Sequence, residues 1–140
     1  MSYLLDTNVV SEWAKERPDP GVVRWLAEVD EDQVVISVAT LAELRRGIER
    51  LPKGQRRSQL NRWLREDISE RFEGRVVAVD QLVADQWGQI IADAENEGRP
   101  IDLIDALIGA TARVHNLTLV TRNERHFTSL LASVVNPWTR

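Results

Sequence analysis

The sequence predicts an α/β fold, a three-layer α/β/α sandwich around a mainly parallel sheet of about five strands. Short runs rich in β-branched residues alternate along the chain with longer stretches of helical spacing. Strands that alternate with helices pair in parallel through right-handed crossovers. The strand runs are apolar almost throughout, as is typical of strands buried on both faces of a sheet. With 140 residues and no internal repeat, the chain fits one domain, 1–140.

The predicted strands and helices follow one another in a regular order. The strands are YLLDT at 3–7, VVIS at 34–37, RVVAV at 75–79, LTLVT at 117–121 and SVVN at 133–136. Helical spacing of apolar residues covers 9–15, 22–29, 39–51, 55–72, 82–97 and 103–115. Proline and glycine mark the breaks between helices at 18–21, 52–54 and 98–100.

Composition limits the classes of protein and of site. With 43% hydrophobic and 29% charged residues, the chain has the composition of an ordinary globular protein. No apolar run approaches the length of a membrane helix, and the start MSYLLDTNVV lacks the pattern of a secretion signal, so we expect a soluble, cytoplasmic protein. The absence of cysteine excludes thiol chemistry. His115 and His126 are not spaced as paired metal ligands, so any metal should be held by oxygen.

Charge is distributed unevenly along the chain. The net charge of −4 disfavours nucleic-acid binding by bulk attraction, so a nucleic-acid ligand needs a local basic surface. One basic segment offers it and contains a single acid, Glu49; its cations are Arg45, Arg46, Arg50, Lys53, Arg56, Arg57, Arg62 and Arg65. The segment is either a solvated helical face or a surface for phosphate or for a partner.

Polar side chains recur where predicted strands end. Asp6 ends the first strand and Asn123 follows LTLVT, while Glu43 and Asp105 lie early in the helices that start near 39 and 103. Ligands of open parallel sheets bind beyond the carboxyl ends of the strands. We therefore expect these four side chains to converge on one edge of the sheet.

Each of these residues also has a purely structural interpretation. Asp6 could cap the helix that follows it, and Asn123 could be a turn residue or a helix cap. Asp105 could act with Asp102 as a helix cap and a helix-dipole partner. Glu43 could be a surface acid paired with Arg46.

Two other acids are better explained as helix caps. Asp102 stands just before the last long helix, and Asp80 follows a strand but has no other acid directed towards it. The candidate site therefore consists of Asp6, Glu43, Asp105 and Asn123. Magnesium prefers oxygen ligands and keeps several waters, so two or three such carboxylates would suit it.

Four segments of the sequence resemble those of PIN-domain nucleases, and specifically of VapC-type toxins, including the FitB-like branch. They are LLDTNVVSE at 4–12, ISVATLAELRRGI at 36–48, IDLIDALIGATARVHNLTLVTRN at 101–123 and VNPW at 135–138. They occur in the family's order across almost the whole chain. The resemblance implies the three-layer sandwich that the alternation of elements also predicts.

The resemblance further implies roles for single residues. Asp6, Glu43 and Asp105 match the acidic catalytic residues, and Asp6 and Asp105 match the direct ligands of Mg²⁺, for which Mn²⁺ can substitute. Asn123 stands where many members of the family carry Asp, and a neutral amide is a weaker magnesium ligand. Thr7 and Thr121 match hydroxyls beside the site.

The resemblance also implies a function and partners. The expected activity is magnesium-dependent hydrolysis of RNA phosphodiester bonds by the toxin of a toxin-antitoxin system. The expected partners are RNA, a cognate antitoxin, a second copy of the chain in a homodimer, and DNA only through the antitoxin. The alternative is a silent PIN-like module that acts with an antitoxin as a corepressor, although the three acids are retained. A phosphoacceptor receiver domain would need a lysine after a late strand, and the chain has lysine only at Lys15 and Lys53.

Overall fold

A computed structural model describes residues 2–139, so the outer limits of the predicted domain, residues 1 and 140, lie outside the described part. In these residues, five strands form one parallel sheet: β1 (Tyr3–Leu5), β2 (Val34–Ser37), β3 (Val76–Val77), β4 (Thr118–Val120) and β5 (Val134–Val135). Their order is β3-β2-β1-β4-β5. The chain moves outward from β1 through β2 and β3 and then crosses to β4 on the other side. The predicted parallel sheet is confirmed.

The helices occupy the positions between the strands, as the sequence predicted. They are α1 (Thr7–Glu12), α2 (Pro20–Glu28), α3 (Val38–Glu49), α4 (Gln55–Arg62), α5 (Ser69–Arg71), α6 (Gln81–Asn96) and α7 (Leu103–Val114). A π-helical segment, Trp63–Ile68, joins α4 to α5, and short 3₁₀ turns cover Glu31–Gln33, Glu124–His126 and Pro137–Thr139. None of the helices in residues 2–139 is both long enough and apolar enough to cross a membrane.

Two hydrophobic cores, one on each face of the sheet, account for the layers. Leu5 packs with Val9 and Phe72, whereas Leu4, its neighbour in β1, packs with Ile108 and Phe127. All six side chains are fully buried. Successive residues of a strand point to opposite faces, so one strand supplies both cores. The three-layer α/β/α sandwich is confirmed.

The structure differs from the prediction at two helices. The first helix was expected from residue 9, after a strand that ran to residue 7, but the strand ends at Leu5 and α1 begins at Thr7. Asp6 has extended backbone angles and its carboxylate accepts a hydrogen bond from the Thr7 N–H, so one residue joins strand to helix. The helix predicted over 55–72 has π-helical turns in its middle, for which the apolar spacing gives no signal.

Candidate active site

Asp6 stands at the carboxyl end of the central strand β1 and is only 3% exposed. Its Oδ1 accepts a hydrogen bond from the Thr7 backbone N–H at 2.8 Å, and its Oδ2 accepts one from Thr121 Oγ1 at 2.8 Å. Thr121 directly follows β4, which pairs with β1. The carboxylate is therefore a helix cap, as one interpretation of the sequence held, and is also fixed between two neighbouring strand ends.

Glu43 reaches the same edge from α3. The helix starts directly at the end of β2, where the Ser37 side chain accepts a hydrogen bond from the Ala39 N–H at 3.0 Å. The half-buried Glu43 carboxylate accepts a short hydrogen bond from Thr7 Oγ1, which itself lies 3.4 Å from Thr40 Oγ1. Buried Thr40, which the sequence analysis did not single out, thus supports the hydroxyl that orients Glu43.

Asp102 and Asp105 have different roles at the start of α7. Asp102 is the N-cap, and its Oδ1 accepts hydrogen bonds from the backbone N–H groups of Ile104 and Asp105 at 2.9 Å each, as predicted. Asp105 lies in the first turn and its Oδ2 is 2.7 Å from His126 Nδ1. Sequence reasoning missed His126, because a partner 21 residues away carries no local motif.

Asn123 lies at the same edge but is not held like the acids. It is exposed and precedes the 3₁₀ turn Glu124–His126. Its backbone N–H donates to Thr121 Oγ1 at 3.0 Å, so it supports the hydroxyl that contacts Asp6. Its side chain makes no hydrogen bond to another residue of the part that the structure describes. A catalytic role for this side chain therefore stays a prediction.

The three carboxylates repel one another. Burial is the main cause that raises the pKa of Asp6 from 3.8 to about 6; the hydrogen bonds from Thr121 and Thr7 oppose this rise, and the charges of Asp105 and Glu43 add to it. Burial also raises the pKa of Glu43, with a contribution from the charge of Asp105. The structure thus brings Asp6, Glu43 and Asp105 together, which the sequence could only suggest.

The donor set fits a hard divalent cation. The candidate ligands are oxygens of carboxylates, and a bound cation would offset the repulsion that raises the pKa of buried Asp6. Within residues 2–139, no group of three or more His, Asp or Glu side chains is arranged to hold one metal ion jointly. Magnesium usually keeps several waters, so one or two carboxylate ligands from the protein are enough to hold it.

Open grooves flank the acids on two sides. One, of about 290 Å³, is bordered by Thr7 and Glu43 and has an apolar wall that includes Ile48 and Trp63. The other, of about 210 Å³, is lined by Asp105 and by cationic and polar side chains, among them Arg99, Arg125, His126 and Ser129. Glu43 thus borders one groove and Asp105 borders the other.

The basic segment 45–65 divides into two sets of cations. Arg45 donates to Asn61 at 2.8 Å and pairs with Glu49, and Arg57 pairs with Glu49 at 2.9 Å. Arg56 donates at 3.0 Å to the backbone carbonyl of Ala14, two residues after the end of α1. These three hold helices together. The remaining cations are exposed and make no ion pair with another described residue: Arg46, Arg50, Lys53, Arg62 and Arg65.

Comparison with known proteins places the chain in a family. Residues 3–130 match the PIN domain. The chain is a PIN domain. The match spans the carboxylates at the sheet edge and the segment after β4, so the family's sequence pattern covers the whole candidate site.

Relatives of this PIN domain match it over almost their full length. The toxin FitB of Neisseria gonorrhoeae is 38% identical over 135 residues, which cover 96% of this chain and 97% of the relative. The VapC ribonuclease Y4jK of Sinorhizobium fredii is 33% identical and covers 96% of both chains. A solved structure of FitAB bound to an IR36 DNA fragment superposes with a TM-score of 0.88 at 36% identity and covers 97% of this chain and 95% of that one.

Proposed function

We propose that this PIN domain is the toxin of a toxin-antitoxin pair and a ribonuclease that hydrolyses RNA phosphodiester bonds with a divalent cation. The observation that carries the proposal is the convergence of Asp6, Glu43 and Asp105 from three different elements at one edge of the sheet. A fold gains nothing in stability from carboxylates that repel one another, so their convergence favours a functional role. Relatives named a toxin and a VapC ribonuclease support the same function.

We assign the cation to Asp6 and Asp105. Each has one carboxylate oxygen held by a side chain, Thr121 for Asp6 and His126 for Asp105. Magnesium or manganese bound there would activate water and stabilise the charge that develops on the phosphate. The residues of the chain hold the two carboxylates in fixed orientations and keep Asp6 away from bulk water.

Glu43 acts through its second oxygen. Its Oε1 already accepts the hydrogen bond from Thr7, so Oε2 is left to orient a water molecule next to the scissile phosphate. Its raised pKa makes it a better proton acceptor than an ordinary surface glutamate. Asn123 should contact the substrate rather than bind the cation, because its side chain is exposed and an amide is a weak magnesium ligand.

The exposed cations of the basic segment supply contacts to the RNA backbone. Arg46 lies near Glu43, since its charge opposes the rise in the pKa of Glu43 that burial causes. Arg50 is one helical turn further along the exposed side of α3. Contacts of this kind position RNA without reading its sequence.

The antitoxin partner follows from the same family relationship. The FitAB structure, which contains a chain similar to this one, is bound to a DNA fragment. We infer that an antitoxin binds this chain and that contact with operator DNA runs through the antitoxin, since the chain itself carries a net charge of −4. A second copy of the chain is the other proposed partner, in a homodimer.

The five tryptophans of the chain are the first candidates for an apolar dimer interface, but the structure gives them another role. All five are only partly buried and pack against the two hydrophobic cores. The most exposed large apolar side chains are instead Leu82 and Leu103, at 68% and 56%, in the first turns of α6 and α7. We propose that these helix starts contribute to the dimer interface.

RNA cleavage with and without metal tests the proposed function. The purified chain, free of antitoxin, should cleave RNA in Mg²⁺ or Mn²⁺ and stop when a chelator is added, because the candidate ligands are carboxylate oxygens. Asp105→Asn should abolish cleavage, whereas Asp80→Asn, the same change at a helix cap outside the site, should leave it unchanged. Equal cleavage in excess chelator would exclude the metal mechanism, and no cleavage by the folded chain under any condition would favour the silent corepressor.

A further inference from the structure

We propose that His126 is a positioning residue that fixes the orientation of Asp105 for metal binding. The inference rests on the proposed function and extends it to a side chain outside the acidic set. His126 Nδ1 lies 2.7 Å from Asp105 Oδ2. The Asp105 side chain is 20% exposed and that of His126 is 55% exposed, so the contact lies at the mouth of the site.

The contact requires no particular charge on the histidine. A neutral imidazole with its proton on Nδ1 donates to a carboxylate just as the protonated ring does. The bond occupies Oδ2 and leaves Oδ1 of Asp105 free to bind a cation. Without it, the carboxylate of a residue in the first turn of α7 could rotate about its last bond, since that torsion is broad and roughly two-fold.

Each of the two proposed metal ligands is contacted by a side chain from the segment that follows β4. Thr121, at the start of the segment after β4, donates to Asp6 Oδ2, and His126, five residues later, contacts Asp105 Oδ2. The 3₁₀ turn Glu124–His126 fixes the distance between these two contacts, since the His126 N–H bonds to the Asn123 carbonyl at 3.0 Å. One short segment thus holds the two carboxylates that reach the site from β1 and α7.

Such a contact should be worth a measurable amount of metal affinity. Groups that hydrogen-bond to metal ligands orient them, and losing one typically costs about 10- to 100-fold in affinity. His126 packs little with the rest of the chain, apart from a tilted contact with the ring of its neighbour Phe127 at 6.3 Å between centroids. Its replacement should therefore weaken metal binding more than it disturbs the fold.

The experiment measures Mn²⁺ affinity without RNA, from the loss of the free-ion electron paramagnetic resonance signal as protein is added. His126→Ala should weaken Mn²⁺ binding by about 10-fold or more. His126→Asn should recover most of that loss, because the Asn side-chain nitrogen can take the place of Nδ1. His115→Ala is the matched control: His115 is an exposed histidine at the opposite end of α7 and should bind Mn²⁺ like the parent.

The outcomes separate this proposal from the proposed function. If the parent binds Mn²⁺ and His126→Ala binds it equally well, the positioning role is wrong and the metal site stands. If His126→Asn binds Mn²⁺ as weakly as His126→Ala does, a nitrogen donor at this position does not restore affinity, and the positioning role is also wrong. If the folded parent binds no Mn²⁺ at all, the metal site itself is wrong and this role falls with it.

Discussion

Replacing Asp6 by Asn should make the metal-free protein more stable at neutral pH, although it removes a proposed ligand. Asp6 is buried, and its pKa is raised from 3.8 to about 6, chiefly by burial. Folding at neutral pH therefore requires the carboxylate to stay ionised where ionisation is unfavourable. Asn has nearly the same shape, carries no charge, and is as good a helix cap as Asp.

The magnitude follows from the pKa and the hydrogen bonds. A pKa that moves from 3.8 to about 6 corresponds to about 3 kcal/mol of penalty on the ionised form in the folded state. Asn can still accept the Thr7 N–H bond, but its amide nitrogen cannot accept the Thr121 hydroxyl, which costs about 1–2 kcal/mol. We expect a net gain of about 1–2 kcal/mol at neutral pH.

The gain should depend on pH with a definite sign. Because the folded-state pKa of Asp6 is raised, its protonated form favours folding below about pH 3.8, and that contribution is lost as pH rises through about 6. At about pH 4 the carboxyl is mostly protonated in the folded parent, and the variant should be no more stable than the parent. The stability difference should then grow towards neutral pH.

Urea unfolding in chelator at several pH values between about 4 and 7 measures the difference directly. Asp80→Asn is the control, because it makes the same chemical change at the exposed N-cap of α6. Asp80→Asn should change the free energy of unfolding only slightly, and the change should not grow between about pH 4 and neutral pH as it does for Asp6→Asn. Added Mn²⁺ should raise the melting temperature of the parent more than that of Asp6→Asn, since only the parent has both proposed ligands.

A variant that is clearly less stable than the parent at neutral pH without metal would refute the reasoning. In that case the Asp6 carboxylate would stabilise the folded state through its hydrogen bonds, as a helix cap does. Substantial RNA cleavage by the same variant would complete that refutation, because the residue would then be structural.

Three further measurements test other parts of the molecule. Glu12→Gln should lower the free energy of unfolding by about 1–3 kcal/mol at neutral pH. Burial acts to raise the pKa of Glu12, but hydrogen bonds from Lys15 and Asp19 and the charges of Lys15 and Arg122 outweigh it and lower the pKa. In urea unfolding, the difference from the parent should shrink as pH falls below about 4.5, and a difference that stays constant would contradict this prediction. The double variant Arg46→Gln, Arg50→Gln should make the slope of log binding constant against log salt concentration shallower by about 1.4 for RNA. The same changes at exposed Arg17 and Arg24 should leave the slope as it is. An unchanged slope in the first variant would mean that this surface faces solvent or the antitoxin instead of RNA. Light scattering should give a dimer for the parent and a monomer for Leu82→Glu with Leu103→Glu, and a monomeric parent would remove the dimer.

The presence and order of the strands could be predicted because each is a short apolar run, but the strands predicted over 3–7 and 75–79 are shorter in the structure, at Tyr3–Leu5 and Val76–Val77. VVIS at 34–37 is β2 without change, and LTLVT at 117–121 contains β4. The start of α1 was missed by two residues, since the sequence does not reveal that Asp6 ends a strand and caps a helix at once. The π-helical segment was missed because its side chains keep ordinary helical spacing over so few residues.

The convergence of the three acids could be predicted from the sequence, but the residues that hydrogen-bond to them could not. Asp6, Glu43 and Asp105 could be chosen because strand ends converge in a parallel sheet. The contacts of Thr40 and His126 depend on how helices pack and on the course of a 3₁₀ turn, which one sequence does not specify. The basic segment shows the same limit, since composition cannot tell a cation that faces solvent from one, such as Arg45, that holds two helices together.

The hydrogen bond between Thr121 and Asp6 joins residues 115 positions apart in the chain. The central strand β1 is synthesised well before its neighbour β4, because β4 lies more than 110 residues later in the chain. Contacts between distant parts of a chain form late and slowly. A growing polypeptide therefore lacks the finished site until β4 and Thr121 have been translated, so the nascent chain stays inactive up to that point. Premature termination before residue 118 should yield fragments that lack β4 and are harmless to the cell.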